Sequence, residues 1–162
     1  MEANSGNNNV DVLYAGEFVH SVDTQRRVAI PSEWRSRGDD NRFYVLPGRH
    51  NALQLMPFSV FKAMAEKLKK VSIADPKASL ALAKLGARSR ECTPDKQGRI
   101  HIPEQLLEHA EIKKGNEVDS EIVLVGVFNS IQIWSNSNWN KHKQQMSDDE
   151  MLDVLQSIEE IK

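Results

Sequence analysis

With one cysteine in 162 residues, Cys92, the chain has too few for an intrachain disulfide and no thiol cluster to hold a structural metal. A reducing compartment fits. Long apolar runs are also missing. The longest covers residues 122–128, which suits a buried strand and falls far short of the roughly 20 residues that a bilayer span needs. No membrane partner is expected. The opening stretch Met1-Glu-Ala-Asn-Ser-Gly-Asn-Asn-Asn9 has neither the basic flank nor the apolar centre of a secretory signal. Residues 1–13 therefore read as a polar, disordered arm, and the protein as cytoplasmic. There is no phosphate-cradling glycine loop, Ser/His/Asp arrangement or zinc-ligand spacing, so no cofactor, small-molecule substrate or enzymatic chemistry is implied. Neither sign of charge dominates: 21 Lys and Arg stand against 23 Asp and Glu, a net −2.

What is present is organised. Hydrophobic residues make up 40% of the chain, ample for a packed core. The charge is unevenly placed: from Ser147 onward there are six acids (Asp148, Asp149, Glu150, Asp153, Glu159, Glu160) and one base, Lys162. Taking these six from 23 and this one from 21 leaves 17 acids and 20 bases, so the body is mildly basic at +3. A whole-chain charge hides such a face, and what matters for binding is where the arginines sit.

The chain contains an internal repeat, and a repeat fixes architecture before any local feature does. Asp23-Thr-Gln-Arg-Arg-Val-Ala-Ile-Pro31 recurs 72 residues later as Asp95-Lys-Gln-Gly-Arg-Ile-His-Ile-Pro103. Tyr44-Val-Leu-Pro-Gly-Arg-His-Asn-Ala-Leu-Gln-Leu55 matches Ile122-Val-Leu-Val-Gly-Val-Phe-Asn-Ser-Ile-Gln-Ile133 at an offset of 78. Each copy reads as a strand, a polar turn holding Asp-x-x-x-Arg, a short alternating strand, Pro at the first position of a short helix, then a hairpin. A copy of roughly 45 residues is too small to bury a core alone. The two must pack on each other, and the simplest product is a pseudo-twofold, strand-interleaved barrel. The fold class is thus α+β.

The rest of the chain reads as helices. Residues 58–71 carry Val60, Phe61, Met64 and Leu68 at helical spacing, and residues 75–88 open on Asp75 as an N-cap before Pro76. Residues 136–145 form a further helix, and Ser147-Asp-Asp-Glu150 is a capping box opening an amphipathic acidic helix with Met151, Leu155, Ile158 and Ile161. That helix packs on the body, on a neighbouring subunit, or not at all. The division is a first module at 14–57, a helical connector at 58–88, a second module at 89–135 and a helical tail at 136–162.

The motif Asp-x-x-x-Arg, β-branched residue, x, Ile, Pro, followed by a short helix and a hairpin, resembles the AbrB-like swapped-hairpin DNA-binding module. Two modules joined by paired helices and followed by Leu124, Val125, Gly126, Asn129, Ile133 and Trp134 at their present spacing are similar to the MraZ family, and Tyr14-Ala-Gly-Glu17 looks like a variant of its opening segment. The resemblance covers about 14–143. It implies a swapped-hairpin β-barrel with flanking helices that assembles into homo-oligomeric rings. It also implies a nucleoid-associated transcriptional regulator that binds direct repeats in double-stranded promoter DNA, upstream of its own division and cell-wall operon. Where the family places Gly before the motif Arg, this chain has Gly98 in copy two but Arg26 in copy one. A bulky residue at a position needing positive φ either distorts the loop or shows that the position is not left-handed.

The candidate DNA-binding residues are Thr24, Gln25, Arg26 and Arg27 in copy one and Lys96, Gln97 and Arg99 in copy two. A guanidinium presents a planar fork that bonds guanine O6 and N7 together or clasps a phosphate, and neighbouring polar side chains donate to phosphates and base edges. The alternative is structural: Asp23 and Asp95 cap turn amides while each Arg pairs with its own Asp. Both can hold at once, with Asp bracing the turn and Arg facing outward. A hydrolase using Asp23 and Asp95 as paired carboxylates is a second alternative, set against a basic residue four positions after each. A third is a ring-forming scaffold without DNA binding. His20 and Cys92 occupy corresponding repeat positions, so a shared metal site is conceivable. Trp34, Trp134 and Trp139 read as core or subunit contacts rather than base-stacking platforms.

Overall fold

The computed structural model describes residues 13–35, 41–72, 74–115 and 120–160. All but the last residue of the N-terminal arm lies outside them, as does Ile161. In chain order the elements are β1 (Glu17–Ser21), β2 (Arg27–Ala29), a 3-10 turn (Ser32–Trp34), β3 (Phe43–Pro47), a second 3-10 turn (Arg49–Asn51), β4 (Leu53–Pro57), α1 (Phe58–Ser72) and α2 (Pro76–Arg88). There follow β5 (Arg90–Cys92), β6 (Arg99–His101), α3 (Glu104–His109), β7 (Glu121–Gly126), β8 (Ile131–Ser135), α4 (Asn136–Lys143) and α5 (Asp148–Glu160).

Helix starts follow from short polar side chains that satisfy otherwise orphan amides. Asp75 Oδ1 accepts the N–H groups of Lys77 (3.0 Å) and Ala78 (3.3 Å) with Pro76 at the first helical position, and Ser147 Oγ accepts Glu150 N–H at 3.1 Å. Pro31 and Pro103 sit one place earlier than expected, at the cap position, with extended ψ of 140° and 144°. There the proline carbonyl accepts the first bond of the turn, from Trp34 N–H and Leu106 N–H.

Two antiparallel layers make the body. The larger is a six-stranded sheet in the order β1-β7-β8-β4-β3-β5, and the smaller a ribbon of β2 and β6. Each copy contributes one hairpin, β3–β4 or β7–β8, and the first strand of each copy adds to the other copy's hairpin. Exchanging the copies turns the strand order into its own reverse. Gln54 accordingly pairs with its counterpart Gln132 at the centre of the sheet, and Val28 with its counterpart Ile100 at the centre of the ribbon.

The sheet is open, which corrects the expected closed barrel. β1 and β5 stand at opposite edges, and the three-residue strands of the ribbon hydrogen-bond to each other rather than bridging those edges. Strands this short hold too few ladder bonds to close a cylinder, so the ribbon covers the open side by packing. Val28, Ile30, Ile100 and Ile102 lie in one apolar cluster with Phe43, Leu55, Ile122 and Ile133. Trp34 joins that cluster edge-on to Phe18 and Tyr14, and Trp134 is buried against Trp139.

Candidate nucleic-acid interface

The two motif loops fold alike because an aspartate braces each turn from inside. Asp23 Oδ1 accepts the N–H groups of Gln25 (2.9 Å) and Arg27 (2.8 Å), and Oδ2 accepts Arg27 Nε–H at 2.7 Å. Asp95 does the same with Gln97 N–H (2.9 Å), Arg99 N–H (2.9 Å) and Arg99 Nε–H (3.0 Å). Side-chain capping of amides two and four residues on is what makes Asp the residue for this turn. The Asp–Arg pairing of the structural alternative is therefore present in both copies. It runs through Nε, so the two terminal nitrogens of each guanidinium are not what holds the turn.

These bonds set the charge state of the loops. Desolvation pushes the Asp23 carboxyl up, but the amides of Arg27 and Gln25 and the Arg27 guanidinium outweigh it and hold the group below the usual carboxylate range. For Asp95 the leading cause is the Arg99 amide, which with Gln97 and the Arg99 side chain lowers the carboxyl against a smaller desolvation effect. Each carboxylate is ionised and tied to its own arginine. A hydrolytic dyad needs two carboxylates sharing one proton, and this arrangement provides the reverse.

The position before the motif arginine is left-handed in both loops, with φ of 77° at Gly98 and 61° at Arg26. Arg26 thus neither distorts the loop nor escapes the left-handed region; it bears a strain of about 1 kcal/mol that glycine avoids. The asymmetry has a local cause. A Cβ on Gly98 would lie 2.1 Å from Arg35 Nε, because Arg35 reaches across from the first copy to donate to Gln97 O (3.0 Å) and Ile30 O (3.2 Å). The residue 72 positions after Arg35 is Leu107, which lines the hollow beside Arg26 and makes no such crossing. Each loop is also clamped by the other copy: Ile30 N–H donates to Gly98 O at 2.8 Å and Ile102 N–H to Arg26 O at 2.9 Å.

The ribbon brings the two arginines together. Val28 and Ile100 point inward, so alternation places Arg27, Ala29, Arg99 and His101 on the outward face. Arg27 stands opposite His101 and Ala29 opposite Arg99, which puts the arginines about 7 Å apart along the ribbon. Thr24, Gln25, Lys96 and Gln97 are exposed at the loop tips, and Arg26 turns aside to pair with Glu104 at 3.8 Å. Two residues were missed by the sequence reasoning. His101 was legible from the Ile-His-Ile alternation, whereas nothing near Arg35 in sequence points to the loop it covers. A cavity of about 590 Å³ opens beside His101, lined by Arg26, Arg88 and Arg90 together with Glu91 and Glu104.

The other candidates are not brought together. His20 lies on β1 and Cys92 on β5, the two edges of the sheet. Among the described residues no group of three or more His, Cys, Asp or Glu is placed to hold a metal, and no helix is long and apolar enough to cross a membrane.

A duplicated, interleaved α+β protein with two matching aspartate-braced arginine loops on one shared ribbon defines a tandem-repeat class. The family described as "MraZ protein, putative antitoxin-like" matches residues 13–84 and again 86–156. Among similar chains, the Transcriptional regulator MraZ of Pediococcus pentosaceus is 38% identical over 130 residues, covering 80% of this chain and 85% of its own. That of Clostridium acetobutylicum is 33% identical over 136 residues (84% and 91%), and that of Caldicellulosiruptor saccharolyticus 34% over 149 (92% and 94%). The chain belongs to the MraZ family.

Proposed function

We propose that this chain is a cytoplasmic, nucleoid-associated transcriptional regulator that binds direct repeats in promoter DNA, upstream of its own division and cell-wall operon, and acts by binding rather than catalysis. The observation that carries the reading is the outward face of the ribbon, where Arg27, Arg99 and His101 project between two exposed polar loops. A two-stranded antiparallel ribbon fits the major groove of B-DNA. Aspartate bracing through Nε orients each guanidinium in advance, so little freedom is lost when its terminal nitrogens meet a guanine or a phosphate. Thr24, Gln25, Arg26, Lys96 and Gln97 supply the surrounding phosphate contacts. The two family repeats are AbrB-like modules of the swapped-hairpin type, bounded at 14–57 and 89–135, with 58–88 connecting them and 136–162 as a tail. Several copies assemble into a closed ring, which multiplies weak contacts to adjacent repeats.

Electrophoretic shifts with DNA from upstream of the chain's own coding sequence test this. Arg27→Ala and Arg99→Ala each remove one partly exposed ion pair worth about 1 kcal/mol, while the backbone amides still bind the aspartate, so folding should survive. Each should weaken specific binding by roughly 1–3 kcal/mol, about 5- to 150-fold per site. Lower salt should restore non-specific retention without restoring discrimination between correct and scrambled repeats. Variants that bind the correct repeats like the parent would show the arginines to be purely structural.

A further inference from the structure

We propose that α5 of one copy docks on the α1–α2 hairpin of a second copy, head to tail. The observation behind it is a pair of opposite, complementary helical surfaces within one chain. α5 spans 148–160, each boundary 72 residues after those of α2 (76–88), and is the second copy's counterpart of α2. α2 packs on α1, whose Val60, Phe61 and Met64 are partly buried. The counterpart of α1 is α4, an eight-residue polar helix whose one aromatic, Trp139, is engaged by Trp134 and Glu17. α5 therefore has no apolar face to meet in its own copy. None of its residues is buried, and Met151, Leu152, Val154, Leu155 and Ile158 stay exposed, Ile158 at 61%. Apolar surface of this kind on one helix face marks an interaction site.

Charge chooses the occupant. α5 carries six acids and no base, a net −6. α1 and α2 together carry seven Lys and Arg against one Glu, a net +6, and expose Leu68, Val71 and Leu80, Leu80 at 72%. Exposed apolar residues among acids on α5 are thus matched by exposed apolar residues among bases on the hairpin. Two copies of α5 meeting each other would oppose like charges, so α5 meets the hairpin rather than another α5; repeated head to tail around the ring of the reading above, this is a heterologous contact that closes on itself. Nucleic acid would satisfy the bases of the hairpin but not its exposed leucines and valine. This contact specifies the subunit interface of the ring reading above and is independent of the DNA site.

Charge exchange tests it. One full-length variant carries Glu150→Lys and Glu159→Lys on α5, the acids that flank its apolar face at helical spacing; another carries Lys77→Glu and Lys84→Glu on α2. In light scattering at moderate salt each alone should at least halve the assembled mass, and mixing the two should restore it, because the reversed positions of one chain meet their complements on the other. Restoration also shows that both variants are folded. Variants that keep the parent's mass, or a mixture that stays dissociated, would overturn the contact while leaving assembly through other surfaces intact. A parent that is itself monomeric would overturn both this contact and the ring.

Discussion

Gly98→Ala is the perturbation whose cost can be worked most directly from the structure. Gly98 has φ of 77°, where an alanine is strained by about 1 kcal/mol, and the new Cβ would lie 2.1–2.6 Å from Arg35 Nε, Cζ and the second terminal nitrogen. The guanidinium can swing away, but only by giving up its bonds to Gln97 O and Ile30 O, each worth about 1 kcal/mol. The sum is about 2–3 kcal/mol, which should lower the urea midpoint by about 1 M at fixed protein concentration. Arg35→Ala removes the obstacle, so in its background Gly98→Ala should cost only the backbone part, about 1 kcal/mol. Arg26→Gly at the matching position should change stability in the opposite direction, by up to about 1 kcal/mol, since it relieves a left-handed arginine and gives up only an exposed pair with Glu104. A Gly98→Ala chain as stable as the parent, or a cost unmoved by Arg35→Ala, would refute the reasoning.

Acid should weaken the loops. Asp23 and Asp95 are held below the usual carboxylate range, so their stabilisation is present above about pH 4, the ordinary carboxylate pKa, and is lost as pH falls through their depressed values. The urea midpoint of the parent should therefore fall more between pH 6 and pH 3 than that of the Asp23→Asn/Asp95→Asn double variant; equal falls would contradict the bracing role. Cys92 is buried, and desolvation with Glu91 nearby pushes its thiol up to about 12. Because the folded value lies above the unfolded one near 9, stability is full below that pH and declines as pH rises from there toward 12. A thiol reagent at pH 8 should accordingly label Cys92 only after denaturation, and labelling of the native protein at the rate of a free cysteine would show that the edge strand opens.

Features written locally were readable in the sequence. Asp75 and Ser147 announce helix starts, Gly126 and Asn129 a hairpin, and Asp23 and Asp95 the two turns, because each acts on amides within a few residues. What was not readable depends on partners 60 or more residues away. Gly98 looked like a turn glycine, yet the reason no side chain fits there is Arg35, and Arg26 tolerates the same backbone because Leu107 leaves room. The open sheet follows from the brevity of β2 and β6, which the pattern of apolar residues did not limit: alternation says which face is buried, not whether the ladder continues around.

The interleaving of the copies has a consequence for dilution. Each loop is clamped by a bond from the other copy, and each hairpin is widened by the other copy's first strand. A chain holding a single copy could form these contacts only by meeting a twin, at a rate and occupancy set by how much protein is present. Tethering the copies through α1 and α2 replaces that encounter with a fixed local concentration, of the millimolar order for short linkers. The ribbon is therefore complete in every molecule however scarce the protein is, and whatever depends on meetings between molecules alone responds to its abundance.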